Sequence, residues 1–345
     1  MQKKVLLSVT FVLTLLLTVG CTKKDDNALY LFNWTYYTPD AVIEQFEQEF
    51  NVAVKVDNYS SNEEMYTKIK AGATGYDIVF PSQDFASIMI KQGMFEKLDH
   101  SKMPNLQNVN KIITDKLTYD SNMDYSVPYG TTISGIAVNK QKVTDYEKSW
   151  NIFENKELAG TMTMLDDMRE VMSATLLYLG YSVNTKDEAE LAEAHDVLKN
   201  KWGPNLVKFD AEGFGKAFAN GDFLVCHGYV ENIFGEIPEE NWNTVDYFIP
   251  KEGVPLYVDS MAILKGSKNY DLAVEFINFI HRPEVYALFL DEMRFPAVLN
   301  MPAAEFTALK PMYEIEDVSV FQIPQDLEED IAKYDAIWED IRINY

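Results

Sequence analysis

Three short apolar runs separated by segments of helical period open the body of this chain, and that alternation constrains its fold more than any other feature. Ala28-Leu29-Tyr30-Leu31-Phe32-Asn33 is apolar and aromatic with polar flanks, the signature of a strand buried in a parallel sheet. Thr38-Pro39 then starts a helix on which Val42, Ile43, Phe46 and Phe50 recur at helical spacing, and Val52-Ala53-Val54-Lys55-Val56 returns to strand. Ser61-Asn62-Glu63-Glu64 has the form of a capping box for a helix through Lys70. Tyr76-Asp77-Ile78-Val79-Phe80 is a third strand running into Pro81-Ser82, and another helix spans 85–92. Such alternation over about 70 residues predicts an α/β domain with a mostly parallel sheet. Ligands of these sheets bind beyond the carboxyl ends of the strands, which places a site at residues 33–37 and 81–85.

The same character returns further on, with a strand at 161–165, a helix at 169–179, a very polar helix at 187–201 and a strand at 223–226. A helix at 272–280 precedes Arg282-Pro283, and an acidic amphipathic helix at 327–341 ends the chain. With 345 residues, 47% of them hydrophobic, there is enough chain for two large cores.

Ahead of these elements, Lys3 and Lys4 precede an apolar run at 5–19 that ends at Gly20-Cys21, the pattern of an export signal. The run is about 15 residues, short of the roughly 20 that span a bilayer as a helix. Leu17-Thr18-Val19-Gly20-Cys21 resembles the lipobox of bacterial lipoproteins, with the leucine one place further from the cysteine than usual. That resemblance makes Cys21 the lipidated N-terminus of the mature chain, 1–20 the removed signal and 21–26 a polar spacer. The other cysteine, Cys226, is then without a disulfide partner.

The formal charge is -24, from 30 basic and 54 acidic residues, and loss of Lys3 and Lys4 with the signal makes it more negative. Nucleic acid and anionic ligands are disfavoured by such a balance. A cationic ligand fits it, but so does simple solubility. His100, His195, His227 and His281 are scattered, with no metal-binding spacing and no nucleophile paired to a base, so neither a cofactor nor an enzyme is expected.

Asn33-Trp34-Thr35-Tyr36-Tyr37, 76–82, Tyr125-Ser126-Val127-Pro128-Tyr129, 166–171, Pro250-Lys251-Glu252-Gly253 and Tyr257-Val258-Asp259-Ser260 together resemble, in order, the spermidine/putrescine-binding proteins of polyamine importers. The resemblance implies a two-lobed periplasmic-binding-protein fold, each lobe a mostly parallel sheet flanked by helices, with the ligand cleft between. It divides the chain into one lobe of 27–131 with 258–300 and another of 132–257 with 301–345. It further implies a polyamine ligand, a monomer held to a bacterial membrane on its periplasmic side only by its N-terminal lipid, and an ABC permease as partner.

A polyamine is a methylene chain with an ammonium at each end. Burying an unpaired ammonium costs several kcal/mol, so each nitrogen needs a carboxylate or an aromatic face. An aromatic face supplies roughly 0.5–2 kcal/mol and also covers methylenes. The resemblance assigns Trp34 and Tyr37 to an aromatic wall, Thr35 and Ser82 to accepting oxygens, Asp167 and Glu170 to one terminal nitrogen, and Asp259 to an inner or secondary amine. Tyr229 and Tyr257 stand where tryptophan is common in the family, Phe295 stands for a tyrosine, and Asp84 for a residue often aromatic. The family glutamine is matched by Gln322 or Gln325. From the residues alone, Trp34 and Tyr37 fit packing between lobes equally well, Asp167 fits a helix cap, and Asp84 fits a solvent-facing helix start. A ferric iron or cationic amino-acid receptor of the same fold, and a lipoprotein enzyme or adhesin, also stay open.

Overall fold

The computed structural model describes residues 27–343. The segment expected to be an export signal, and Cys21, lie outside the described residues. The first part runs β1 (Ala28–Trp34), α1 (Asp40–Phe50), β2 (Ala53–Tyr59), α2 (Asn62–Lys70), β3 (Ile78–Val79), α3 (Gln83–Lys91), α4 (Lys111–Thr114) and β4 (Ser126–Asn139). The middle runs β5 (Met162–Met164), α5 (Met168–Leu179), α6 (Glu188–Asp196), β6 (Leu206–Phe209), α7 (Phe214–Asn220), β7 (Val225–Tyr229), α8 (Val230–Phe234) and β8 (Val245–Phe248). The last part holds β9 (Leu256–Ile263), α9 (Tyr270–Ile280), α10 (Pro283–Met293) and α11 (Ile331–Ile343).

The predicted βαβ units are present, and β1 pairs in parallel with both β2 and β3. A second parallel trio forms from β6, β5 and β7. The inner strands run the other way: β9 is antiparallel to β3 and to β4, and β4 is antiparallel to β7 and β8. The sheets are therefore mixed, parallel outside and antiparallel inside. The cause is β4, a 14-residue strand that pairs with β9 through Ile133 and with β7 from Ser134 onward, and so belongs to both halves. A register shift between Pro128 and Gly130 bends its first half.

Period-2 alternation explains the packing of the first half. Leu29 and Leu31 face the large core, while Phe32 faces a smaller cluster with Tyr59, Met65, Val79 and Met89 on the opposite side. Both faces are thus covered at β1 and β3, which is why those strands read as apolar runs, whereas β2 at the sheet edge is exposed from Lys55 to Asn58. The capping box at α2 is displaced by one residue: Ser61 Oγ accepts from the Glu64 amide, but the Glu64 carboxylate returns to the Ser60 amide and hydroxyl. The polar helix predicted at 187–201 changes to π-helical turns at Val197–Trp202. Among the described residues no helix is long and apolar enough to cross a membrane.

Asp77, fully buried, ties the sheet together: its carboxylate accepts from the Tyr30 amide at 2.9 Å, Ser267 Oγ at 2.7 Å and Asn269 Nδ2 at 3.1 Å. Asp77→Ala leaves these donors unpaired and should lower stability by roughly 3 kcal/mol, read as a shift of the urea midpoint.

Candidate functional site

The carboxyl ends of β1 and β3 converge on Asp259 in β9. β1 ends at Trp34, whose indole donates to the Phe80 carbonyl at 2.9 Å and tilts against Tyr59. The loop that follows carries Tyr36 at φ 57° and almost wholly exposed, and turns Tyr37 inward. The Tyr37 hydroxyl donates to Asp259 Oδ2 at 2.7 Å. Gly130 makes room for it, since a Cβ there would lie 2.3 Å from the hydroxyl oxygen. At the head of α3, Ser82 Oγ donates to Asp259 Oδ1 at 2.5 Å. Burial pushes the Asp259 carboxyl above the usual carboxylate range, the two hydroxyls oppose that rise, and the charge of Asp84 adds to it.

In the other half, Asp167 caps α5, its Oδ1 accepting from the Glu170 amide at 3.0 Å. Asp167 is open to the cleft, yet the surrounding protein still raises its carboxyl, with the charge of Glu170 contributing. Glu170 is fully buried and accepts from Ser134 Oγ at 2.6 Å and the Tyr229 hydroxyl at 3.0 Å.

A cavity of about 400 Å³ lies between these groups. Trp34, Ser82 and Asp259 line it on one side, Asp167 and Tyr229 on the other, and Tyr257 on β9 joins them. Tyr37 and Glu170 stand one shell back, each bonded to a residue that does line it. The three-residue spacing of Asp167 and Glu170 therefore brings only Asp167 to the cavity, where Tyr229 takes the place of Glu170. Asp84 lines a neighbouring cavity of about 240 Å³ together with Gln325, and burial raises its carboxyl. Thr35 is exposed on the loop after β1, and Phe295 packs half-buried against the core beyond α10. Gln322 is a structural tie: its Oε1 accepts from the Val183 amide, and its main chain pairs with Val254 and Leu256.

Sequence reasoning missed Thr132 and Arg169, which complete the cavity wall. The Arg169 guanidinium is held by Asn184 Oδ1 at 3.0 Å and lies over the Tyr334 ring at 5.2 Å. It was visible inside the 166–171 motif but carried no role there. Ser134 and His227, behind Glu170, were also missed. Their signal was alternation: Thr132 with Ser134 on β4, and His227 with Tyr229 on β7.

Three hydroxyl hydrogens in this site are already committed. A hydroxyl has one, and Ser82, Tyr37 and Tyr229 each donate theirs to a carboxylate. What Ser82 and Tyr229 turn toward the cavity is lone pair, so at these two points the wall is set to receive donors, while Arg169 brings donors of its own.

A family model described as bacterial extracellular solute-binding protein matches residues 41–313. The chain belongs to this family. The solute-binding protein is 36% identical over 278 residues to the spermidine/putrescine-binding periplasmic protein of Escherichia coli K12, covering 79% of this chain and 78% of the relative. The crystal structure of the TpPotD lipoprotein of Treponema pallidum superposes with a TM-score of 0.82 at 48% identity, over 92% of this chain and 99% of that one. That of the spermidine/putrescine transporter substrate-binding protein PotD from Streptococcus pneumoniae gives a TM-score of 0.83 at 26% identity, with 92% and 99% covered. The two-lobed α/β architecture is shared with these structures, and the family's role is to bind solutes outside the cytoplasm.

The raised carboxyl of Asp259 has a signed effect on stability. Folded protein holds this proton more tightly than unfolded chain, so the group's contribution is full below the ordinary carboxylate range and is lost as pH rises through the raised value. Asp259→Asn removes that loss. Urea denaturation of ligand-free protein at about pH 4 and about pH 7 should show the variant gaining on the parent toward neutrality. A parent that gained on the variant instead would contradict the assignment.

Proposed function

We propose that this solute-binding protein captures a polyamine, putrescine or spermidine, between its lobes and delivers it to an ABC permease, while held at the periplasmic side of a bacterial membrane by lipid on Cys21. The observation that carries the reading is the pairing of Asp259 on one wall of the cavity with Asp167 on the other, beside the Ser82 and Tyr229 hydroxyls, whose hydrogens are already given to carboxylates. Two separated anionic points joined by aromatic surface match a ligand with a cation at each end and methylenes between. Trp34, Tyr229 and Tyr257 supply that surface, and relatives named as spermidine/putrescine-binding proteins support the choice of ligand.

The lobes in this reading are 27–131 with 258–300 and 132–257 with 301–345, joined through β4 and β9. The stretch Met301–Glu305 rests on α10, so the return to the second lobe is completed beyond it, where Asn184 binds the Ile323 carbonyl and α11 packs on α5 and α6. Closure of one lobe over ligand bound to the other expels water and strengthens both carboxylate contacts. The protein acts as a monomer with no cofactor, and its lipid is its only membrane contact.

Calorimetric titration of ligand-stripped protein with putrescine, spermidine, spermine, arginine and ferric citrate tests the ligand class. Heat with at least one polyamine is expected, and silence with all three overturns the reading. Asp259→Asn should weaken polyamine binding well over tenfold, as loss of one partner of a buried charge pair costs roughly 2–5 kcal/mol. Cys21→Ser should move the protein from the membrane to the soluble fraction of fractionated cells, and retention in the membrane would remove the anchor from the proposal.

A further inference from the structure

Behind the cavity wall lies a buried chain of four side chains. In the antiparallel pairing of β4 and β7, Ser134 is opposite Tyr229 and Ile136 is opposite His227. Residues two apart on a strand share a face, so His227 and Tyr229 point the same way, with Ser134 beside them. α5 covers that face and sets Glu170 against all three. Gly228 between them is obligatory, because a Cβ there would lie 2.4 Å from the Phe214 ring. Ser134, Glu170 and His227 have no exposure at all.

Counting hydrogens fixes the direction of the chain. Glu170 as a carboxylate only accepts. Ser134 has one hydrogen and lies 2.6 Å from Glu170 Oε2, so it donates there. Its 2.9 Å contact with His227 Nε2 must then run from the imidazole, so Nε2 carries a hydrogen. Nδ1 has no hydrogen-bond partner, and Trp150 packs edge-on against the ring at 5.0 Å. The same imidazole nitrogen is 3.6 Å from Glu170 Oε2. The other carboxylate oxygen takes the hydrogen of Tyr229. Tyr229 alone of the four lines the cavity, and it can only accept there.

We propose that His227 is a positioning residue for ligand capture, acting through Ser134 and Glu170 to keep the Tyr229 hydroxyl an acceptor for a primary ammonium. Without the imidazole donor the buried carboxylate loses part of its hydrogen-bonded support, and uptake of a proton becomes the cheaper way to satisfy it. A protonated Glu170 donates rather than accepts. Tyr229 then turns its hydrogen toward the cavity, where it opposes an ammonium. This inference rests on the proposal that an amine end sits beside Asp167 and Tyr229, and its test separates the two.

Putrescine is titrated calorimetrically into ligand-stripped mature protein and its variants. His227→Leu should weaken binding about tenfold, the worth of one hydrogen bond near a charged group, and His227→Gln, whose amide N–H reaches the place of Nε2–H, should recover most of it. In a Tyr229→Phe background the effect of His227→Leu should vanish, because the relay has no outlet. Unchanged affinity in folded His227→Leu, or the same loss with Tyr229→Phe, overturns the proposal. Should His227→Leu not fold, Ser134→Ala takes its place, with the same expected loss and the same overturning result. If the parent binds no polyamine, the ligand reading falls and the relay is judged by infrared spectroscopy. A carboxylic-acid band absent from the parent should appear in His227→Leu or Ser134→Ala and disappear on adding Glu170→Gln, and its absence overturns the relay.

Discussion

A carboxylate gripped by two hydroxyls holds the binding face of this molecule together. Ser82 and Tyr37 lie 177 and 222 residues from Asp259 along the chain, yet both donate to it. The loop after β1, the head of α3 and strand β9 are thereby fixed to one point. The arrangement is costly while the cavity is empty, since a charge removed from water is repaid only by partners of good geometry. The raised carboxyl of Asp259 reflects that cost.

The second lobe uses the same logic at one remove. Asp167 meets the cavity directly, while Glu170 acts through the Tyr229 hydroxyl that it orients. A tyrosine at this position is thus more than a smaller aromatic: its hydroxyl converts a buried charge into an accepting surface. The direction of these hydrogen bonds, unlike the amount of negative charge, distinguishes donor from acceptor at Ser82 and Tyr229. The overall acidity of the chain would be compatible with many ligands.

In the parallel trio at the start of the chain, β1 and β3 were legible because they are covered on both faces and read as apolar runs, and the edge strand β2 because its first residues repeat valine before residues 55–58 turn to solvent. β4 was not. Its middle, Thr131-Thr132-Ile133-Ser134-Gly135, passes from one lobe to the other, so its residues answer to no single core and show neither run nor clean alternation. Trp34, Ser82, Asp167 and Asp259 were found through motifs, and the structure puts all four on one cavity. Glu170 was found but aimed wrongly, since helical spacing says that two side chains are neighbours without saying which one the opposing strand covers. His227 was dismissed with the other histidines as scattered, because its partners Ser134 and Glu170 are brought to it only by the crossing strand and by α5.

The two strands shared by the lobes also carry the contacts. Thr132 lies on β4 at its passage between the halves, and Tyr257 and Asp259 lie on β9 beside it. Any turning of one lobe against the other twists this ribbon and re-aims the groups that line the cavity. Occupancy and posture are therefore written on the same few peptide units, and a transporter that feels the posture has already been told about the cargo.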